Sequence, residues 1–496
     1  MASEVLAGEP LASYSGTAPA EPRNTKSKRR NVVISDAHPF DLEVYISQYT
    51  GRAAINRLRF IADECEQLAP QALQRAIQLI IQTRDASLYQ RTVHEFNSRP
   101  SAADVIPYNS EWAEMTHAQN TSERERLETE LKTYTSNMIK ESIRMGHREL
   151  GDHYWSVGDY SQSLKHYNKS REFCTTNQHV LEYSLTALQL LLEHCDYSHI
   201  AAYIFKAEAA FAPPEGSKDS SKKSTVIHPP GSAAAAAAAS AAANPDREKA
   251  QAKIDYANGI AFMAQGHYEK AAFAFSKLNR SLDDWFGTVV APADIAIYGT
   301  LCAIVSMTRS SIKVNYHENE SFGYFLEQEP YARELLDAFM NSRFSVVLDL
   351  LDRNSSRHLL DIHLNRHVSG ITNEIRERSV VLYFQPFATV QLEKMSSAFG
   401  MSVSEMEILA AHLIQDGRIK ARIDSKNKVL VVKENDPRVA LYRRAFKTAR
   451  DTQKLTEKLL FRMRLMQADL IVKAPKRDNH PSQQQIPSQF GSEVAP

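Results

Sequence analysis

The sequence predicts a mostly α-helical chain: a solenoid of helical repeats, then a winged-helix subdomain, then one long terminal helix. Three observations carry that prediction. Helical hydrophobic periodicity begins at Asp41 and meets no strand-like alternation before residue 418. Two stretches share one pattern of glycine and aromatic residues at the same internal spacing. Near the C-terminus, two short helical patterns precede a basic hairpin, and a heptad-like stripe follows it.

Residues 1–36 are rich in Ala, Pro, Ser and Gly, bury little apolar surface, and read as a flexible tail. The run KSKRR at 26–30 reads equally as a nuclear-import signal or a solvated charge cluster. The helical array is expected over 37–319. In PQALQRAIQLIIQTR (70–84), Leu73, Ala76, Ile77, Ile80 and Ile81 fall on one face of a helix that Pro70 opens. The same periodicity recurs at 53–65, 120–145, 177–192, 196–211, 293–308 and 330–351. A stretch bounded by Pro-Pro and Asn-Pro (213–246), with an alanine run inside it, reads as a disordered insertion in a surface loop.

HRELGDHYWSVGDYSQSLKHYNKSREF (147–173) resembles a tetratricopeptide unit. Leu150 and Gly151 fall where the first helix meets its neighbour, and Tyr154 follows. Gly158 sits at the turn, Tyr160 starts the second helix, and Tyr167 takes the later aromatic position. Glycine permits close helix approach at 151 and a tight turn at 158, while the aromatics fill the seam. YANGIAFMAQGHYEKAAFAFSKL (256–278) repeats the pattern with Gly259, Phe262, Gly266, Tyr268, Ala271 and Phe275. Ser163 and Ser170 depart from the usual small apolar residues, so the units are divergent. A solenoid presents surface, which points to a scaffold.

The C-terminal domain is expected over 320–433, with its winged helix at 386–433. Leu392, Met395 and Phe399 share one face of a helix read over 389–399, which Gly400 ends. Ser402 with Glu405 is a capping-box pair opening a second helix, which Gly417 terminates. Ile419, Ala421 and Ile423 then alternate with Lys420 and Arg422 as a half-buried strand, and the chain turns at 424–427 and returns as KVLVV. A groove-reading winged helix needs Arg, Lys, Asn or Gln on its second helix. Between Met401 and Gln415 there is no Lys or Arg, whereas Glu405 and Glu407 are exposed there. Strand-to-strand pairing with another protein fits better than DNA.

After Pro437 the pattern is helical to about Val472. Its stripe passes through Tyr442, Ala445, Ala449, Thr452, Thr456, Leu459, Met463, Met466 and Leu470. Nine Lys/Arg against two Asp/Glu between Arg438 and Arg464 give this helix a local charge of +7. Such a helix, read as 434–473, must pack with helices of partners; an RNA- or membrane-surface role is the alternative that its charge keeps open. Residues 474–496 read as a disordered tail.

Composition bounds the function. Lys+Arg and Asp+Glu both number 59, so the chain lacks the basic excess of a dedicated nucleic-acid binder. The four cysteines lie far apart and read as reduced thiols of a cytosolic or nuclear protein. No apolar run reaches the ~18–20 residues needed to cross a bilayer, and the N-terminus shows no signal-peptide core. Phosphate-loop, dinucleotide, nucleophile-elbow and HExxH motifs are all missing. His358, Asp361, His363 and His367 are the best metal candidates, yet they read as solvated or helix-capping, for want of a further partner. No catalytic residue, cofactor or metal is expected.

The order of helical repeats, then YFLEQEPYARELLDAFMNSRFSVVLDLLD, HLLDIHLNRHVSGITNEIRERSVVLYFQPF, a winged helix and a long helix resembles the PCI-domain family. That module is shared by the proteasome lid, the COP9 signalosome and translation initiation factor 3. DLEVYISQYTGRAAINRLRFIADEC and SIRMGHRELGDHYWSVGDYSQSLKHYNKSREFC are similar, within it, to the signalosome subunit 1 family; the homologous lid subunits are the nearest alternative. The likeness covers 41–472 apart from the 213–246 insertion. It implies a non-catalytic scaffold whose partners are other signalosome subunits and, through the complex, cullin-RING ligases. Winged-helix contacts would then fall on Ile419, Lys420, Arg422, Ile423, Lys428, Val429 and Val431. Bundle contacts would fall on Leu459, Met463, Met466 and Leu470.

Overall fold

The computed structural model describes Val32, Ile34 and residues 40–99, 105–211, 245–433 and 437–470. The basic run at 26–30, the core of the 213–246 insertion and the 474–496 tail lie outside the described residues. The chain divides into two compact units. One holds everything to Ile419 together with Ile423–Leu430; the other holds Lys420–Arg422 and the chain from Val431 on.

The first unit is helical, as its periodicity predicts. Helices Gly51–Glu64, Ala69–Ile80 and Ala86–Asn97 bury the faces that the sequence marks, with Leu73, Ala76, Ile77 and Ile80 all in the core. Most helices pack against their neighbours in sequence, notably Lys140–Val157 on Tyr160–Arg171 and Pro245–Ala264 on Tyr268–Ser276. Caps set many boundaries: Asp41, Asp85, Asn109, Asp159 and Thr176 each accept a backbone N–H of the first turn. Two of the periodic stretches are interrupted. The 120–145 pattern spans helix Ser110–Ser136 and the start of Lys140–Val157, with Met138 at φ 54° between them. The 330–351 pattern breaks between Pro330–Met340 and Phe344–Arg353, where Ser342 stands at φ 59°. Neither break carries the glycine or proline that would have announced it.

A buried polar network ties distant segments of this unit together. Arg57 pairs with Asp294 at 3.1 Å, both side chains 3% exposed, and the Tyr49 hydroxyl also donates to Asp294. The Arg57 guanidinium lies 4.0 Å from the centroid of the Tyr49 ring. Tyr298 donates to Asp361 Oδ2 at 2.7 Å, and Arg357 pairs with Glu329 at 2.6 Å. The N-terminal helices are thereby joined to helix Pro292–Ser306 and to the 355–367 segment.

The winged helix departs from expectation at its start. Thr389–Gln391 is a strand, β1, and the helix begins only at Leu392 and runs to Phe399. Leu392 opens that helix while its own N–H still donates to the Lys428 carbonyl at 2.8 Å. Helix Val403–Gln415 follows with the expected capping box between Ser402 and Glu405. Strands β2 (Ala421–Asp424) and β3 (Val429–Val432) complete a sheet of order β1-β3-β2. Asp424 Oδ1 accepts from the Lys426 and Asn427 amides to close the turn. The second unit's long helix is Pro437–Gln467. Among the described residues no helix is long and apolar enough to cross a membrane.

Candidate functional site: seams, sheet edge and terminal helix

The two repeat units use the same contact. A Cβ on Gly151 would stand 2.5 Å from the Tyr167 ring, and one on Gly259 would stand 2.6 Å from the Phe275 ring. Leu150 and Tyr167 are buried beside the first seam, and the Tyr167 hydroxyl donates to Asp152 at 2.5 Å. Ser163, divergent in sequence, is fully buried and donates to the Gly151 carbonyl at 2.9 Å, so the hydroxyl is used. Tyr154 is half-buried and stacks on His166. Gly158 (φ 93°) and Gly266 (φ 78°) make the two turns in left-handed backbone, which side chains disfavour. Tyr160 opens its helix with its ring against His194, and the Tyr268 hydroxyl lies 3.4 Å from His367 Nδ1. The sequence reading missed a third seam of this kind, where a Cβ on Gly299 would stand 2.8 Å from Phe322.

The histidine cluster needs correction. His358, His363 and Asp361 are buried rather than solvated, each with a tyrosine partner. Tyr331 meets His358 Nε2 at 3.3 Å, Tyr197 meets His363 Nδ1 at 2.7 Å, and Tyr298 holds Asp361. Burial pushes both imidazoles down to about 3, so they are neutral core groups. His367, half-buried, stands at the N-cap of helix Val368–Phe384 but makes no side-chain cap bond. No group of three or more His, Cys, Asp or Glu among the described residues has metal-binding geometry.

At the sheet, three of the residues expected at the partner edge are placed otherwise. Ile419 is 4% exposed, lies before β2, and donates its N–H to the Leu413 carbonyl, so its side chain serves the core. Val429 and Val431 belong to β3, the middle strand, whose backbone is already flanked on both sides by β1 and β2. The unflanked edges are therefore β2, which carries Arg422 and Ile423, and β1. Lys420 and Arg422 are exposed and Ile423 is half-buried. Of the five cations in and beside the hairpin, Arg418, Lys420, Arg422, Lys426 and Lys428, two are neutralised internally. Lys428 meets Glu407 at 2.6 Å, and Arg418 bridges Glu374 and Glu377. Lys428 holds the Glu407 carboxyl below its usual range, assisted by the Ser425 hydroxyl. The second helix thus turns a carboxylate to the hairpin and offers no cation for a groove.

The terminal helix exposes many large apolar side chains. Leu459, Met463 and Met466 are 53%, 65% and 53% exposed. Leu470, 71% exposed, lies past the helix, which stops at Gln467 instead of running to 473; Asp469 turns left-handed (φ 58°) just before it. Tyr442 of the stripe is exposed as well, and so are Leu441, Phe446, Leu455, Leu460 and Phe461, which lie outside it. At 31 residues the helix is roughly 46 Å long, enough to line a multi-helix bundle. Apolar area on this scale marks an interaction surface.

Comparison with known proteins agrees with this architecture. Residues 109–315 match the family model described as 26S proteasome subunit RPN7, and residues 351–434 match the PCI domain. The chain is 31% identical to COP9 signalosome complex subunit 1 of Arabidopsis thaliana, over 91% of this chain and 95% of the relative. It is 34% identical to COP9 signalosome complex subunit 1 of Emericella nidulans, over 82% and 78%. Its likeness to the Arabidopsis thaliana homolog of 26S proteasome non-ATPase regulatory subunit 6 is lower, 19% over 70% and 81%.

Proposed function

We propose, from the premise that the chain belongs to the COP9 signalosome subunit 1 family, that it is a non-catalytic scaffold subunit of that complex. In this role it supports removal of a ubiquitin-like modifier from cullins, and so regulates cullin-RING ubiquitin ligases, without contributing a reacting group. The carrying observation is the terminal helix, whose exposed Leu459, Met463 and Met466, with Leu470 just beyond its end, require helices from other subunits to cover them. The β2 edge, with Arg422 and Ile423, supplies the second contact by strand pairing in the PCI ring. A scaffold of this kind works in cytoplasm and nucleus, where cullin ligases act. The test is to isolate the tagged chain from cells and identify its companions by mass spectrometry. Stoichiometric signalosome subunits in both nuclear and cytoplasmic fractions support the reading. Proteasome lid subunits in their place, or the chain alone, would overturn it.

A further inference from the structure

A cleft of about 750 Å³ opens between the capped start of helix Arg309–Ile312, Ser342–Phe344 and the C-terminal end of helix Val368–Phe384 with the turn that follows it. Its volume lies in the range of ligand sites. Two guanidinium groups line it. Arg309 lies over the rings of Phe339 and Phe344, at 5.6 and 5.7 Å from their centroids. Its Nε and Nη2 are buried and have no hydrogen-bond partner among the described residues. Arg378 donates to the Met307 carbonyl, and burial together with nearby Arg418 and Arg309 pushes its pKa down. Neither Arg309 nor Arg378 meets a carboxylate in an ion pair among the described residues, although Arg418 nearby has two. A buried donor without a partner is costly, and Arg378 feels the positive charges of Arg418 and Arg309, each outweighing the opposing effect of Glu374. The remaining wall is apolar and aromatic: Phe344, Leu382, Tyr383 and Phe387, the last 45% exposed.

We propose that this cleft binds an acidic peptide segment of a partner protein, with a carboxylate between Arg309 and Arg378 and a neighbouring apolar side chain against Tyr383 and Phe387. A carboxylate satisfies the orphaned guanidinium donors by charge-assisted hydrogen bonds, for which arginine's planar fork is suited. The aromatic wall selects a peptide over a bare anion, because a phosphate ion leaves that wall in water. The proposal does not rest on signalosome membership, and its failure leaves that reading untouched.

The test uses the purified full-length chain and a fluorescein-labelled peptide, Gly-Phe-Glu-Asp-Phe-Gly, read by fluorescence anisotropy. A control peptide carries Gln and Asn in place of the two acids, and inorganic phosphate is added as competitor. Saturable binding is expected, weakened about tenfold or more in R378Q, in F387S and with the control peptide. Because Phe387 is partly exposed, F387S reports on the cleft without disturbing the core, and an unchanged melting temperature checks this. Equal binding by both variants, equal binding of the control peptide, or no saturable signal would overturn the proposal. Phosphate displacing the probe while F387S binds it normally would reassign the cleft to small anions.

Discussion

At Gly151 a single added carbon would meet the Tyr167 ring, and at Gly259 the Phe275 ring, so both glycines are fixed by helix proximity. Gly151→Ala or Gly259→Ala should destabilise the chain by about 1–3 kcal/mol in urea unfolding. Gly323, helical with nothing within 4 Å of an added Cβ, is the control, and Gly323→Ala should gain about 0.5–1 kcal/mol. Equal effects at 151 and 323 would show that the seam is looser than described. A second residue-scale prediction concerns Glu193. Burial pushes its carboxyl from an ordinary 4.5 up to about 7, although Trp155 Nε1 donates to it at 2.8 Å. Between those values the folded chain holds a proton that the unfolded chain has released. The stabilisation is therefore complete below pH 4.5 and lost as pH rises through about 7. Glu193→Gln should remove a slope of up to about 1.4 kcal/mol per pH unit across that window. Unfolding of wild type and variant at pH 5 and pH 8 checks it; a constant difference between them would contradict it.

At the scale of elements, periodicity and caps made the helices legible, as at 69–80 and in the Ser402–Glu405 box. Three-residue strand β1 was not, because TVQ joins directly onto a helical pattern and its pairing is supplied by β3, distant in sequence. Without β1, β3 counts as an edge strand, and Val429 and Val431 as edge residues. The buried histidines were likewise hidden: only the fold brings Tyr197, Tyr298 and Tyr331 to His363, Asp361 and His358. The Arg57–Asp294 pair, 237 residues apart, left no sequence signal at all. Arg57→Met should cost roughly 3–5 kcal/mol by leaving Asp294 buried and unpaired. Arg57→Met with Asp294→Leu should recover much of that loss in thermal unfolding, and a double variant no better than the single would show that the ion pair is not the clasp. For the sheet, Lys420→Glu with Arg422→Glu should weaken subunit co-purification while leaving the thermal transition unchanged. Unaltered assembly would move the interface from β2 to β1.

At the scale of the whole molecule, a helical array and an exposed apolar terminal helix converge on assembly with other chains. A heptad stripe is a local signal, and Leu459, Met463 and Met466 do lie on that helix; Leu470, expected there too, falls beyond its end at Gln467, although all four are exposed. The stripe underestimates the face, since Leu441, Phe446, Leu455, Leu460 and Phe461 fall outside a strict 3-4 stripe yet are exposed too. The most direct measurement is co-expression of Leu459→Glu, Met463→Glu and Met466→Glu, combined in the full chain, with the other signalosome subunits, followed by size-exclusion chromatography. The account predicts a folded chain that elutes apart from the complex, with an unchanged melting temperature. Co-elution at wild-type stoichiometry would contradict the claim that this helix joins the chain to its partners.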